Sequence, residues 1–401
     1  MTDHSSEQTS RLGRILSISI LGRLAHDVSI RMMYPFLPEI AAGLRLPIDQ
    51  VGTLVSLRNG VGIIGPILGA LSDRIGHRRA MSIALVLLAA GLGFIGAADG
   101  VFAAAIGCIV SGIGSALYIP TLIAYVSERV PFARRGRVTG AIEMTWAISG
   151  MIGVPLAGLL IGSQGWRAPF IGLAVAAFVC AILTLFLRET NLARGSASID
   201  ILQVKPSQGF RLASLRHNRS AIVFLLVWFM LFFTFENIQV GYGSWFEQHF
   251  GLSTAERGGT QTLFGIFEVV ASASSSAFLD RIGKKRGVIG GLIVVLIGYG
   301  LLVTIGQVDL WLALAAISVA FLGFEFSVVS GIPIMSEQLP QARGTMLALG
   351  VTAGSVGRMA GDLTGSALTA GPGFIAAALI SAIIAVFTLI LFWRSVQTNE
   401  Q

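Results

Sequence analysis

Twelve apolar runs of roughly twenty residues each, separated by short polar segments, set the pattern of this chain. They fall at 14–37, 50–71, 80–98, 101–126, 138–161, 168–187, 220–243, 258–279, 287–306, 310–335, 345–369 and 373–393. A run of this length crosses the hydrocarbon core as a helix, because backbone groups in lipid must find their hydrogen bonds inside the segment. The pattern predicts an all-α membrane protein with twelve transmembrane helices. The first run follows a polar stretch and Arg11 and Arg14, which superficially resembles a cleaved leader. Arg23, Asp27 and Arg31 interrupt it, however, and no small-residue cleavage site follows, so it is read as a retained span.

Composition agrees with this. Of 401 residues, 54% are hydrophobic and 12% charged, with a mean hydropathy of +0.78. A soluble domain carries about 25% charged residues. A large soluble enzyme and a disordered chain are both excluded. Cys108 and Cys180 sit in apolar runs and offer neither a disulfide framework nor metal-ligand spacing. The net charge of +7 resolves into topology. With a cytoplasmic N-terminus, 21 of the 28 Lys and Arg residues fall in cytoplasmic segments, and only Arg45, Arg167 and Arg257 fall outside. The expectation is a multi-pass protein of a bacterial inner (plasma) membrane with both termini cytoplasmic. Its partners are membrane lipids and a small-molecule substrate, not nucleic acid, and the expected unit is a monomer.

The runs form two sets of six. The longest polar stretch, from Arg188 to Arg219, divides them. Leu71-Ser72-Asp73-Arg74-Ile75-Gly76-His77-Arg78-Arg79 follows run 2, and Leu279-Asp280-Arg281-Ile282-Gly283-Lys284-Lys285-Arg286 follows run 8. Ser127-Glu128-Arg129-Val130-Pro131 after run 4 has its counterpart in Ser336-Glu337-Gln338-Leu339-Pro340 after run 10. Two landmarks per half at nearly the same offset predict a duplicated six-helix bundle, with 1–187 and 220–401 as the bundles and 188–219 as the central cytoplasmic loop. Transporters built from such repeats carry their site at the interface of the halves, near the midplane.

The stretch from Gly69 to Arg79 resembles the signature loop between spans 2 and 3 of the major facilitator superfamily, and the degenerate copy at Asp280 is expected of that family. The resemblance covers the whole chain and implies two pseudo-symmetric bundles rocking around a central cavity. It also implies that Asp73 helps to hold the cytoplasmic side closed together with basic residues of the loop. The gating set is then Gly69, Asp73, Arg74, Gly76, Arg78, Glu128, Arg129, Asp280 and Arg281; the bland alternative is that the arginines only fix topology. In run 5, Gly150, Gly153, Pro155 and Gly158 are similar to the Gly-Pro motif of the superfamily's drug/proton antiporter branch, with Val154 interrupting the usual form. Physically, Pro removes an intrahelical bond and Gly permits close helix approach. That branch usually carries an Arg in span 4, four residues before a Gly. Here the Gly is Gly112 and the Arg position is Cys108, a departure from the antiporter pattern.

Charge inside a membrane is costly and marks function by default. It occurs in runs 1, 2, 5, 7, 8, 10 and 11 and avoids runs 3, 6, 9 and 12, which are the lipid-facing helices of the superfamily. Arg23, Asp27 and Arg31 form one stripe on run 1, with His26 beside it and Tyr34 beyond. With Arg58 at a similar depth, Asp27 and Arg31 are expected to form a substrate or coupling pocket or, alternatively, a static network. Arg358 and Asp362 are spaced to pair within run 11. Glu236, Glu268 and Glu325 are then left without a base in their own half, and a buried, unpartnered carboxylate takes up a proton. Glu268 and Glu325 are the leading proton sites, Glu236 the third, and Glu143 a gate or packing residue. The aromatic residues of run 7 from Trp228 to Phe235 line a cavity or pack against neighbours and lipid.

No cofactor is expected, with the proton as coupling ion. Gly91-Leu92-Gly93-Phe94-Ile95-Gly96 matches a dinucleotide fingerprint only formally, because no strand precedes it. No phosphate-loop lysine, His-Glu-x-x-His or Gly-x-Ser-x-Gly motif is present, so neither an ATP-driven pump nor an enzyme is supported. The reading is proton-driven export of a small organic or amphipathic substrate. The alternatives are proton-coupled uptake or lipid flipping on the same scaffold and, from another class, a non-transporting membrane sensor.

Overall fold

The computed structural model describes residues 2–130, 132–187 and 218–396; the side chains of 2–12, 14, 132–137 and 275–281 are outside that description. The central segment 188–217 and the side chains of Asp280 and Arg281 therefore lie outside the described residues.

The described chain is helical and contains twelve long helices that run back and forth. These are α1 (Thr2–Arg31), α2 (Ile48–Ile75, with a 3-10 turn at Val61–Ile64), α3 (His77–Gly96) and α4 (Val101–Arg129). Helix α5 runs from Phe132–Ile148 through a π-helical turn, Ser149–Gly153, into Val154–Gln164, and α6 is Arg167–Leu185. The second half holds α7 (Arg219–Phe250), α8 (Thr254–Ile282), α9 (Lys284–Thr304), α10 (Leu310–Gln338), α11 (Arg343–Ala370) and α12 (Phe374–Ser395). A short helix, Leu37–Leu44, follows α1 on the face opposite the termini. The pattern of runs did not foresee it, because apolar character continues from α1 straight through Phe36 and Leu37 into the turn.

By length and apolar composition, nine of the described helices qualify as membrane spans; α1, α8 and α11 do not. Those three carry Arg23, Asp27, Arg31, Glu268, Arg358 and Asp362. Their polar side chains turn inward, and α3, α6, α9 and α12 stand outside with bare apolar surfaces such as Phe94, Val175, Ile297 and Phe387.

The repeat is written into the backbone. Among the described residues six have positive φ, and they form three pairs: Arg45 with Gly251, Gly76 with Gly283, and Gly165 with Gly373. Each pair occupies the same connection in the two halves. Gly76 (φ 89°) ends α2 and starts α3, and Gly283 (φ 88°) does the same between α8 and α9. Packing repeats too. Gly91 and Gly114 bring α3 against α4, and Gly298 and Gly323 bring α9 against α10, at positions where a Cβ would strike backbone of the facing helix.

The halves meet along two seams, α2 with α11 and α5 with α8. At the α5–α8 seam Pro155 has no N–H to give Met151, and the Thr262 hydroxyl of α8 donates to the Met151 carbonyl instead, at 2.9 Å. Gly158, Gly258 and Gly265 keep this seam close.

Candidate functional site

Three polar clusters occupy the interior. The first belongs to the N-terminal half. Arg23 donates from Nε to Asp27 at 3.0 Å, and its Nη2 lies 3.4 Å from Glu143 on α5. His26 donates from Nδ1 to Asp27 at 2.8 Å, and the Thr145 hydroxyl adds a third bond to that carboxylate at 2.8 Å. Asp27 is fully buried, and Glu143 keeps half of its side chain exposed. Glu143 is thus part of this cluster's wall, at the open side. Arg23 Nη1, His26 Nε2 and the Tyr118 hydroxyl are buried without a protein partner.

The second cluster joins the halves at the centre. Arg31 is 1% exposed and clasps Glu268 of α8 with both Nη atoms, at 2.7 and 3.2 Å. Nη2 also donates to Gln261 at 3.0 Å, and Gln261 in turn donates to the Tyr242 hydroxyl at 2.6 Å. The guanidinium lies 4.8 Å from the Trp146 ring. The π turn makes this placement possible: a Cβ on Gly150 would lie 2.7 Å from Arg31 Nη2, and one on Gly153 would strike Val28. The Gly-Pro stretch of α5 therefore acts as the seat of Arg31. Near this bridge Glu325 accepts from the Ser272 hydroxyl at 3.1 Å.

The third cluster lies at the α2–α7–α11 junction. Arg358 Nη1 is 3.0 Å from Glu236, with its guanidinium over Phe232 at 4.8 Å. Asn59 of α2 donates to Asp362 at 2.7 Å and to the Tyr34 hydroxyl at 3.0 Å. Glu236 Oε2 and Asp362 Oδ1 are buried without a protein partner.

Several expectations are corrected by this geometry. Glu268 is not unpaired, because Arg31 reaches it from the other half. Glu236 is not unpaired either, because Arg358 turns to it across the α7–α11 contact rather than to Asp362 on its own helix; Asp362 is held by Asn59 instead. Asp27, Arg31 and Arg58 do not bond one another. Arg58 donates to the Ser29 carbonyl at 2.6 Å, the Ser29 hydroxyl at 2.8 Å and Met33 Sδ at 3.2 Å. On α1, Asp27 pairs with Arg23 and leaves Arg31 to α8. Of the three proposed acids, Glu236 and Glu268 have a basic partner, and among the described residues Glu325 bonds the Ser272 hydroxyl.

At the face carrying the termini, Asp73 meets His77 at 3.2 Å, and His77 meets Glu128 at 3.1 Å. Asp73 therefore contacts the first residue of α3, in its own half, and its side chain is two-thirds exposed. Arg78 donates to the Leu185 and Leu187 carbonyls and so fastens the end of α6. The Arg129 guanidinium sits 5.5 Å from the Tyr125 ring, and the Cβ position of Gly69 faces open space. Arg74 lies in the last turn of α2.

At the opposite face Glu39 of the short helix pairs with Arg257 of α8 and accepts from Thr254; Arg257 also donates to the Pro35 carbonyl at 3.0 Å and is 1% exposed. Sequence reasoning did not single out Glu39, Asn59, His77, Thr145, Tyr242, Gln261 or Arg257. The available signal was weak: a lone Arg257 in a short polar connector reads as an ordinary outer charge, and a buried amide such as Asn59 or Gln261 carries no charge to flag it. Among the described residues no group of three or more His, Cys, Asp or Glu is placed to hold a metal ion.

The chain is similar to "Multidrug resistance protein MdtG" of Salmonella paratyphi C, 26% identical over 96% of both chains. It is also similar to "Tetracycline resistance protein, class C" of Escherichia coli, 27% identical over 71% of this chain and 72% of that one. A shorter match, 28% identical, covers 34% of this chain and 33% of "Uncharacterized MFS-type transporter YwfA" of Bacillus subtilis. Among solved structures, a D-xylose–proton symporter superposes with TM-score 0.78 at 19% identity, over 96% of this chain and 98% of that one. The nucleoside transporter NupG does so with TM-score 0.80 at 14% identity, over 96% and 100%. At these identities the likeness is one of fold, with two bundles facing each other across buried polar clusters. The profile of the Major Facilitator Superfamily matches residues 20–260 and 224–401, and the chain belongs to that superfamily of secondary transporters.

Proposed function

We propose that the protein exports a small organic or amphipathic substrate in exchange for protons, and that Arg31 and Glu268 form the central point at which substrate and coupling meet. The observation that carries this reading is the Arg31–Glu268 bridge. A desolvated bidentate pair spans the two halves at mid-depth, and breaking it leaves two buried charges that need replacement partners. A substrate group or a proton on Glu268 supplies such a replacement, so opening of the halves is tied to binding. The relatives named for multidrug and tetracycline resistance support export.

In this reading residues 1–187 and 220–401 rock as two bodies joined by 188–219. The termini face is cytoplasmic, as the skew of 21 among 28 basic residues indicates. The polar contacts described between the halves run from mid-depth to the opposite face: Arg31–Glu268, Asn59–Asp362, Thr262–Met151 and Glu39–Arg257. That distribution fits a state closed at the face opposite the termini. Asp73, His77 and Glu128 are then poised to meet the other half when the cytoplasmic side closes.

The test is transport of ethidium into inverted proteoliposomes driven by an imposed pH gradient. Arg31→Gln and Glu268→Gln are each expected to lower the gradient-driven rate at least tenfold. Unchanged rates in both variants overturn the role of the bridge. Accumulation that follows the reversed gradient selects proton symport, a reading favoured by the unpartnered polar atoms beside Asp27, which suit a polar substrate.

A further inference from the structure

We propose that Glu236 and Asp362 hold a single proton between them, and that this shared proton controls the bond by which Asp362 joins the C-terminal half to Asn59 of the N-terminal half. This rests on the proton-coupled reading above and adds a second coupling locus, on the α2–α11 seam and away from the central bridge.

The argument is one of charge and of unsatisfied atoms. Two carboxylates, Glu236 at 1% and Asp362 at 0% exposure, belong to one cluster with a single guanidinium, Arg358, and with Tyr34, which Asn59 ties to Asp362. Arg358 bonds Glu236 Oε1, and Asn59 bonds Asp362 Oδ2. One oxygen of each acid, Glu236 Oε2 and Asp362 Oδ1, is buried with no partner. With both acids ionised the cluster carries an uncompensated negative charge in the membrane interior, which is far costlier than neutralisation by a proton. One proton held by the pair turns one acid into a donor and balances the charge of the cluster.

The other charged or titratable groups facing the pair are Tyr34 from the turn after α1, whose hydroxyl accepts from Asn59 and can donate to Glu236, and Tyr299 from α9; neither supplies a cation. The backbone enforces the meeting. A Cβ on Gly361 would lie 3.0 Å from Glu236 Cβ, so Gly361 is what admits α7 to within reach of its neighbour Asp362. On the other side of α11, Gly52, Gly60 and Gly62 of α2 press against Ser366, Met359 and Ser355, and Ser56 donates to the Met359 carbonyl at 2.9 Å. Asn59 is thus held against Asp362 by a seam of small residues. When the shared proton leaves, the repulsion between the two acids and the added charge on Asp362 change the strength of the Asn59 bond across the halves. Proton release is thereby linked to sliding of α2 on α11.

The experiment combines infrared difference spectroscopy of the reconstituted protein, titrated across neutral pH, with spin-label distances between Leu57→Cys on α2 and Leu363→Cys on α11. The wild-type protein is expected to show a protonated-carboxyl C=O band that is altered or lost in Glu236→Gln and in Asp362→Asn alike. It is also expected to show a label distance that changes with pH in the wild type and not in Asp362→Asn. A carboxyl band unchanged in both variants, or a pH-dependent distance that survives Asp362→Asn, overturns the proposal. Both substitutions are isosteric, and Asn59→Ala offers a third variant that spares the acids; it is expected to keep the band and abolish the pH-dependent distance. The two readings fail separately. Proton-driven ethidium transport with an unaltered band removes the dyad and leaves the transport reading, whereas the expected band without proton-driven transport does the reverse.

Discussion

Arg45 closes the short helix Leu37–Leu44 with φ 58°, and the repeat places Gly251 at the same connection in the second half with φ 68°. An L side chain in this region costs roughly 1–2 kcal/mol, and glycine does not bear that cost. Arg45→Gly is therefore expected to raise stability by about 1 kcal/mol, read as an upward shift in the thermal unfolding midpoint in detergent. Gly251→Ala is expected to lower it by a similar amount, because nothing stands within 4 Å of an added Cβ and the cost is conformational alone. At Gly150 the added methyl acts differently: it pushes Arg31 off Glu268 without altering any charge. Gly150→Ala is expected to reproduce the transport loss of Arg31→Gln while the protein still purifies as a folded monodisperse species; wild-type ethidium transport in Gly150→Ala contradicts the seating role.

At the scale of the helix, α5 shows how a local defect is repaired by a neighbour. Pro155 strips the Met151 carbonyl of its helical donor, and Thr262 of α8 replaces it. Thr262→Val removes the hydroxyl at constant shape and is expected to cost about 1 kcal/mol. Thr262→Ser is expected to cost much less. Because the bond crosses the halves, the loss is also expected to shift spin-label distances between α5 and α8 toward separation, and an unchanged distance distribution refutes the link. Much of the helical architecture was legible. Run length gave the spans, the lack of charge in runs 3, 6, 9 and 12 agreed with the outer helices that the family resemblance implies (run 4 lacks charge as well), and the Gly-Pro stretch marked the irregular turn. Pairing within a helix was less legible. Arg358 and Asp362 are four residues apart and were expected to pair, yet α7 packs so closely on Gly361 that Glu236 wins the guanidinium. Spacing along one helix says which side chains share a face, and tertiary packing decides which of them has a better partner.

Across the whole molecule, the partner of Arg31 was illegible for a related reason. Glu268 lies 237 residues further on, and sequence gives the depth of a residue in the membrane but not the rotation of one helix against another. The same applies to Glu39 and Arg257, which tie the halves at the face opposite the termini. Arg257 is almost wholly buried, so Glu39→Gln leaves a buried cation short of its counter-charge. That variant is expected to move the population toward a state open on that face, seen as longer spin-label distances there. A disulfide between Glu39→Cys and Arg257→Cys is expected to stop transport and to release it on reduction; Cys108 and Cys180 are buried and do not compete. Full transport by the cross-linked protein contradicts a moving interface at that point.

The bridge at Arg31 also bears on how the chain is made. A ribosome delivers Arg31 to the bilayer long before Glu268 exists, so the nascent N-terminal bundle holds an orphan guanidinium until the eighth helix arrives. An uncompensated charge in the membrane is costly, so a first half without its second is expected to be unstable and open to degradation. Expressed as separate polypeptides, the first half is expected to be short-lived alone, to be rescued by co-expression of the second, and to be rescued without it by Arg31→Met. Pulse-chase lifetimes of the two fragments decide the matter. The pair proposed to join substrate to proton would then also serve as the checkpoint at which the cell learns that synthesis is complete.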